Sequence, residues 1–220
     1  MGHAEYQANR ADWDPRVSSP FSTIEEVLAF RPTEQLAFPG PAAAERRFNL
    51  HYSANQASHP KSVAMTGIYV TCVSGLIDLF GWDLLLEAAG DDPSGMGELT
   101  NDYCQWVQQW FDALAESDAP IVMVHDDLVW SSGPVFNPAW YREYVFPNYK
   151  KLIRPLVEAG KKIIFTADGD YTSFIDDIAA TGVSGFVMEP MTDMAQMADR
   201  YGRTHFFVGN ADTRILLRGS

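Results

Sequence analysis

From Ser62 onward the chain alternates between short runs of strand-forming residues and stretches with helical periodicity. The strand-like runs are SVAMTGIYV, APIVMVHDD, KKIIFTADGD, GVSGFVMEP and THFFVGNAD. This βαβα order restricts the fold severely, because strands joined through helices lie parallel and cross over right-handedly. Two architectures satisfy it, an open doubly wound sheet and a (β/α)8 barrel. No GxGxxG or GxxxxGK[ST] loop follows any of the runs, and the later ones are short, which predicts a TIM-type (β/α)8 barrel. Only about five strands are convincing where a full barrel has eight. The expectation is therefore an incomplete barrel that lacks terminal βα units.

The helical stretches carry their own signals. Between about 97 and 116, Leu99, Tyr103, Trp106, Val107, Trp110, Phe111 and Leu114 recur at the spacing of one buried helix face. Asn137 and Pro138 read as an N-cap followed by a first-turn proline, and Pro147 and Pro155 are expected to kink or break the helix that follows. Gly160 and Gly182 stand where helix C-caps precede strands. Residues 1–60 are weakly patterned, with a capping-box spacing at Thr23 and Glu26. They are expected to form an irregular N-terminal segment packing on a barrel domain over 61–220. No internal repeat or low-complexity tract occurs.

Composition excludes several classes of partner. With 220 residues, 46% of them hydrophobic, the chain has material for one large core. A formal net charge of −13 argues against nucleic acid or an anionic membrane surface, both of which demand clustered Lys and Arg. Cys72 and Cys104 have no CxxC or metal-finger spacing, which fits a reducing compartment. No apolar run is long enough for a membrane span, and MGHAEYQANRADWDPR lacks the basic-then-apolar order of a signal sequence. A cytoplasmic protein is expected.

In a parallel barrel all strand C-termini reach one face, so residues distant in sequence meet around one mouth. Here those ends carry Asp126 and Asp127, Asp168 and Asp170, Glu189, and Asn210 and Asp212. Gathering carboxylates raises some of their pKa values unless a cation or bound substrate compensates, and a carboxyl so raised can act as an acid near neutral pH. The same residues also serve turns and helix caps, which is the purely structural reading of each one alone. Gly169 and Gly209 sit beside them, suited to sharp turns or close approach. His125 precedes the Asp pair, and Trp130 and Tyr171 follow two strand ends, where they could wall a flat or apolar ligand. His205 begins the last strand, away from the mouth. His51 and His59 have no H-x-x-x-H spacing.

Residues 119–190, followed by MADRYGRTHFFVGNADTRILLRG, resemble the uroporphyrinogen decarboxylase family, whose superfamily includes the cobalamin and coenzyme M methyltransferases. The likeness spans roughly residues 60 to 220. It rests on a strand ending in an Asp pair, a helix of the form P-x-x-[FY]-R-E-[FY]-V-x-P-x-Y-K, a strand ending in x-D-G-[DN], a G-V-x-G strand, and G-N-x-D-T shortly before a leucine pair. It implies a (β/α)8 barrel with its pocket at the strand C-termini.

Two departures from the family matter. The R-Q-A-G-R motif that meets the tetrapyrrole's carboxylates in the decarboxylases does not occur, and an acidic mouth without it would repel such a substrate. The methyltransferase branch holds zinc through H-x-C-G and a later Cys. Thr166, Ala167, Asp168 and Gly169 stand at that place, so a thiolate zinc site is not supported, and no metal ligand is assigned.

The expected function is corrinoid-linked methyl transfer or demethylation of a small methylated substrate, with Asp126, Asp127 or Asp168 as the acid that protonates its leaving heteroatom. His125, Trp130, Gly169, Asp170, Tyr171, Glu189, Asn210 and Asp212 would bind the substrate. The corrinoid would come from a partner protein, since no D-x-H-x-x-G motif is present. One alternative is decarboxylation of a tetrapyrrole or smaller carboxylate. Another is a non-catalytic oligomeric binding protein, because open sheet edges and apolar surface call for a covering subunit. A homo-oligomer is expected in either case.

Overall fold

Five parallel strands lie side by side in the order in which they occur along the chain: β1 (Thr66–Ile68), β2 (Ile121–His125), β3 (Lys162–Thr166), β4 (Gly185–Val187) and β5 (Phe206–Val208). The computed structural model describes residues 19–69, 71–212 and 214–215, and the backbone of an antiparallel hairpin at Glu5–Gln7 and Arg10–Asp12. Most of the stretch read for a signal sequence, Thr213 of the G-N-x-D-T motif, and the leucine pair after it lie outside the described residues. A doubly wound sheet reverses its strand order at a switch point, whereas this one never does. The architecture is α/β, with five strands of a (β/α)8 barrel.

Strand register sets where the site lies. Val124 pairs with Phe165 and His125 with Thr166, while Thr166 pairs in turn with Val187. The C-terminal ends of β2, β3 and β4 are therefore level. Val122, Val124, Ile163, Phe165 and Phe186 are buried along these strands.

Three helices, α1 (Ile24–Ala29), α2 (Pro32–Gln35) and α3 (Pro41–Ser58), precede β1. The Thr23–Glu26 capping box forms, with reciprocal bonds in both directions. The regular helix over 41–58 departs from the expectation of irregular structure. It buries only Ala44 and Phe48, too few positions to print a periodic face in the sequence.

Between β1 and β2 run α4 (Cys72–Phe80), α5 (Trp82–Asp91) and the long α6 (Pro93–Ala115). Of the predicted α6 face, Leu99, Tyr103, Val107, Phe111 and Leu114 are buried. Trp106 and Trp110 are half-buried, and Trp110 meets Phe38 and Phe48 edge-on at 5.1 and 6.4 Å between ring centres.

After β2, Asn137 caps a short α7 (Pro138–Trp140), a π-turn follows over Tyr141–Val145, and α8 (Phe146–Glu158) completes the connection. The widened turn stands immediately before Pro147, the expected place for a distortion. The helix runs on through Pro155, contrary to the predicted break. The missing N–H there leaves only the Lys151 carbonyl, on an exposed residue, without its helical donor. Gly160 and Gly182 take positive φ values of 73° and 102° before β3 and β4. Helices α9 (Ile175–Ala179) and α10 (Met194–Tyr201) link the last strands. Among the described residues, no helix is long and apolar enough to cross a membrane.

Candidate functional site

Asp126 and Asp127 follow β2 directly, and the structure sends them in different directions. Asp126 is fully buried at the N-terminus of α4, where its carboxylate accepts the Val73 amide at 3.0 Å and the Ser74 amide. A helix N-terminus offers unpaired amides and a partial positive charge, so a carboxylate there is well placed. The Tyr149 phenol donates to its second oxygen. Burial nevertheless raises the Asp126 pKa, against the lowering effect of these bonds.

A row of oxygens continues from this carboxyl: Tyr149 Oη lies 2.9 Å from Thr71 Oγ1, which donates to the His125 carbonyl at 2.6 Å. With every oxygen engaged inside the core, Asp126 does not face the mouth, and its sequence-assigned role as an acid toward substrate does not fit its position.

Asp127 is half-buried and faces the mouth. Its backbone N–H donates to Ser74 Oγ at 2.7 Å, while its Oδ1 is buried without a hydrogen-bond partner among the described residues. Burial raises its pKa; the nearby His125 lowers it, and Asp126 and Asp168 raise it further. His125, 2% exposed, stacks flat on Tyr69 with ring centres 4.1 Å apart and an interplanar angle of 6°. Its Nδ1 lies 3.2 Å from the Tyr69 carbonyl, and its Nε2 lies 3.6 Å from Asp127 Oδ1. Asp168, exposed at the end of β3, completes the group: one ligand-type atom from each of His125, Asp127 and Asp168 lies within 4.8 Å of the others.

The turn after β3 carries the next residues. Gly169 has φ of 83°, and a Cβ on it would sit 2.5 Å from the Trp130 carbonyl oxygen, so the backbone approach admits only glycine. Its amide donates to Glu189 at 2.8 Å and its carbonyl accepts from Thr192 Oγ1 at 2.9 Å. The Asp170 amide donates to the Trp130 carbonyl, and its side chain caps the next turn by accepting from the Thr172 amide.

Trp130, 49% exposed in a hairpin formed by Val129–Trp130 and Gly133–Pro134, packs against Trp82 with ring centres 5.8 Å apart. Tyr171, expected as a wall of the pocket, is instead fully buried, with its phenol donating to the Val187 carbonyl at 2.8 Å. Asp212 is held by Arg214 through bonds as short as 2.7 Å, which lowers its pKa, and it stands outside the His125 group. Asn210, half-buried, adjoins it beyond β5. A cavity of about 450 Å³ lies along the β1 edge under α3 rather than over the carboxylates, lined in part by His51, Asn55, His59, Tyr69 and Met123.

The sequence reading passed over Tyr69, Thr71, Ser74 and Tyr149. Only Tyr149 carried a signal, as the tyrosine of the P-x-Y-K segment; nothing local marks Tyr69, which follows β1, or Thr71 and Ser74 at the start of α4, until that helix is docked.

A model of the uroporphyrinogen decarboxylase (URO-D) family matches residues 10–220. The chain belongs to the uroporphyrinogen decarboxylase family. No curated relative matches it. Among solved structures it is similar to a methyltransferase from Methanosarcina mazei, at 14% sequence identity and a TM-score of 0.58, over 73% of this chain and 46% of that one. The chain thus spans less than half of that methyltransferase's length, and at this identity the likeness is one of fold.

The zinc of the URO-D superfamily's methyltransferases does not fit here. Thr166 Oγ1 is buried without a hydrogen-bond partner among the described residues, and Asp168 offers oxygen where a thiolate would be required. Both cysteines are buried away from the mouth, with their sulfurs 3.0 Å apart.

Proposed function

We propose that this chain is the substrate-activating barrel of a methyl-transfer or demethylation enzyme, acting on a small methylated substrate with a corrinoid delivered by a partner protein. The observation that carries this reading is the convergence of His125, Asp127 and Asp168 at level strand ends, with the Asp127 pKa raised by burial. Family membership and the methyltransferase fold support it. The reduced corrinoid would accept the methyl group. This chain's part is to place the substrate against Trp130 and Trp82 and to hold a proton on Asp127. As the carbon–heteroatom bond breaks, the electron pair goes to the heteroatom and the Asp127 proton follows it, since an uncharged ether or amine leaves poorly without protonation.

The test incubates the purified chain with reduced cobalamin and a panel of methyl ethers, methylamines and methyl thioethers, following methylcobalamin by its visible spectrum. Methylation that is lost in Asp127→Asn supports the reading, and absence of transfer across the panel overturns it.

Decarboxylation is the second reading, favoured by the name of the matching family. Among the described residues, Arg142, Arg200 and Arg214 are each engaged by a carboxylate, which leaves these three poorly placed to hold a polyanionic tetrapyrrole. Release of carbon dioxide from uroporphyrinogen or a smaller acid, with no methyl transfer, would favour it.

A further inference from the structure

We propose that His125 Nε2 and one oxygen each from Asp127 and Asp168 form a binding site for a first-row divalent cation. The imidazole supplies the first argument. Its Nδ1 faces the Tyr69 carbonyl at 3.2 Å, an acceptor only, so that nitrogen carries the hydrogen and Nε2 presents a lone pair. A backbone carbonyl fixing the tautomer in this way is the usual second-shell arrangement of a metal-binding histidine. Nε2 then points at Asp127 Oδ1, itself an acceptor, 3.6 Å away and beyond hydrogen-bond distance. The gap between these two atoms calls for a positive charge, a shared proton or a metal cation, and its width exceeds what a proton alone would bridge.

The orphaned oxygen supplies the second argument. Asp127 Oδ1 is buried and makes no hydrogen bond among the described residues, a state that is costly for a carboxylate. Donors bound at about 2.1 Å to one cation lie roughly 3.0 to 3.4 Å apart for right-angled to tetrahedral geometry. The His125–Asp127 separation is within reach of that, and exposed Asp168 closes the remaining gap, at most 4.8 Å, by rotating its side chain.

One nitrogen and two oxygens suit Mn²⁺, Fe²⁺, Co²⁺ or Zn²⁺ better than a soft thiolate-seeking ion, and three protein ligands leave positions open for substrate. The inference deepens the proposed methyl-transfer site and rests on that reading only for its purpose. A cation here would draw electron density from the leaving heteroatom, the part played by the Asp127 proton when no cation is bound.

Binding is measured on the full chain after chelator treatment, by titrating Mn²⁺ and following free ion by electron paramagnetic resonance, with Zn²⁺ as competitor. The expected result is one saturable Mn²⁺ per chain, displaced by Zn²⁺ and weakened at least about tenfold in Asp168→Asn and Asp127→Asn, with Asp212→Asn unchanged. Asp168 is exposed, so its variant is expected to fold as the parent does, and circular dichroism verifies this. Absence of saturable Mn²⁺ or Zn²⁺ binding up to about 1 mM, or binding that survives both substitutions, overturns the inference. Because the readout is binding, a chain that holds the cation yet transfers no methyl group sinks the proposed reaction alone. One that transfers methyl without a cation sinks the metal site alone.

Discussion

The backbone amide of Gly169 donates to a carboxylate oxygen of Glu189 at 2.8 Å, tying the turn after β3 to the end of β4. Glu189 is thereby a positioning residue for the strand end that bears Asp168. Glu189→Ala should lower stability by about 1–3 kcal/mol, the range for losing a charge-assisted bond to a buried amide. Glu189→Gln keeps an acceptor and should recover most of that loss. Urea midpoints of the three proteins check the order.

Gly169→Ala should be more damaging than its size suggests. The new methyl would meet the Trp130 carbonyl at 2.5 Å in a backbone conformation that L-residues avoid. A loss of at least about 1–2 kcal/mol in thermal melts is expected. Methyl transfer should fall with it, since the same turn carries Asp168.

Asp126 and Asp127 should separate stability from chemistry. Asp126→Ala removes the acceptor for two helix amides and strands the Tyr149 phenol, with an expected cost of at least about 2 kcal/mol. Asp126→Asn imitates the protonated acid and should remain folded. The sign of its pH effect is definite. A carboxyl raised on folding contributes stability that is full below its unfolded pKa, about 3.9, and lost as pH rises through the folded value. Wild-type stability should therefore decline above about pH 4 relative to Asp126→Asn, as chemical denaturation at a series of pH values will show.

Methyl transfer should follow Asp127 in the same direction. In the proposed reaction the acid form is the active one, so kcat/KM should fall as pH rises through the Asp127 value, which burial raises, His125 lowers, and Asp126 and Asp168 raise further. Asp127→Asn should remove both the activity and this limb of the profile. Stability should change little, because the side chain is only half-buried.

Tyr171→Phe provides a contrast. Among the described residues its phenol serves the Val187 carbonyl alone, so about 1 kcal/mol of stability should be lost while turnover is unchanged.

The parallel strands and the long α6 were legible in the sequence because each buries a regular face: Val122 and Val124 along β2, and Leu99, Tyr103, Val107 and Leu114 along α6. Helix α3 left no such mark, since Ala44 and Phe48 alone anchor it. The rim acids could be found but not sorted. Asp126 and Asp127 are identical in type and adjacent, and what divides them is the arrival of α4, whose first amides come from residues more than fifty positions earlier. Likewise nothing local distinguishes Tyr171, a core residue, from Trp130, which is half-exposed; the difference is the Val187 carbonyl waiting across the sheet.

Tyr69 lies flat against His125 with its own carbonyl holding one ring nitrogen. An imidazole gripped on its face and at its edge cannot turn over without breaking both contacts. Its aim is settled when the chain folds and not when a visitor docks, so association at this rim is spared the entropic penalty of arranging that ring. Loosening Tyr69 should therefore weaken docking without removing a single group that touches the visitor.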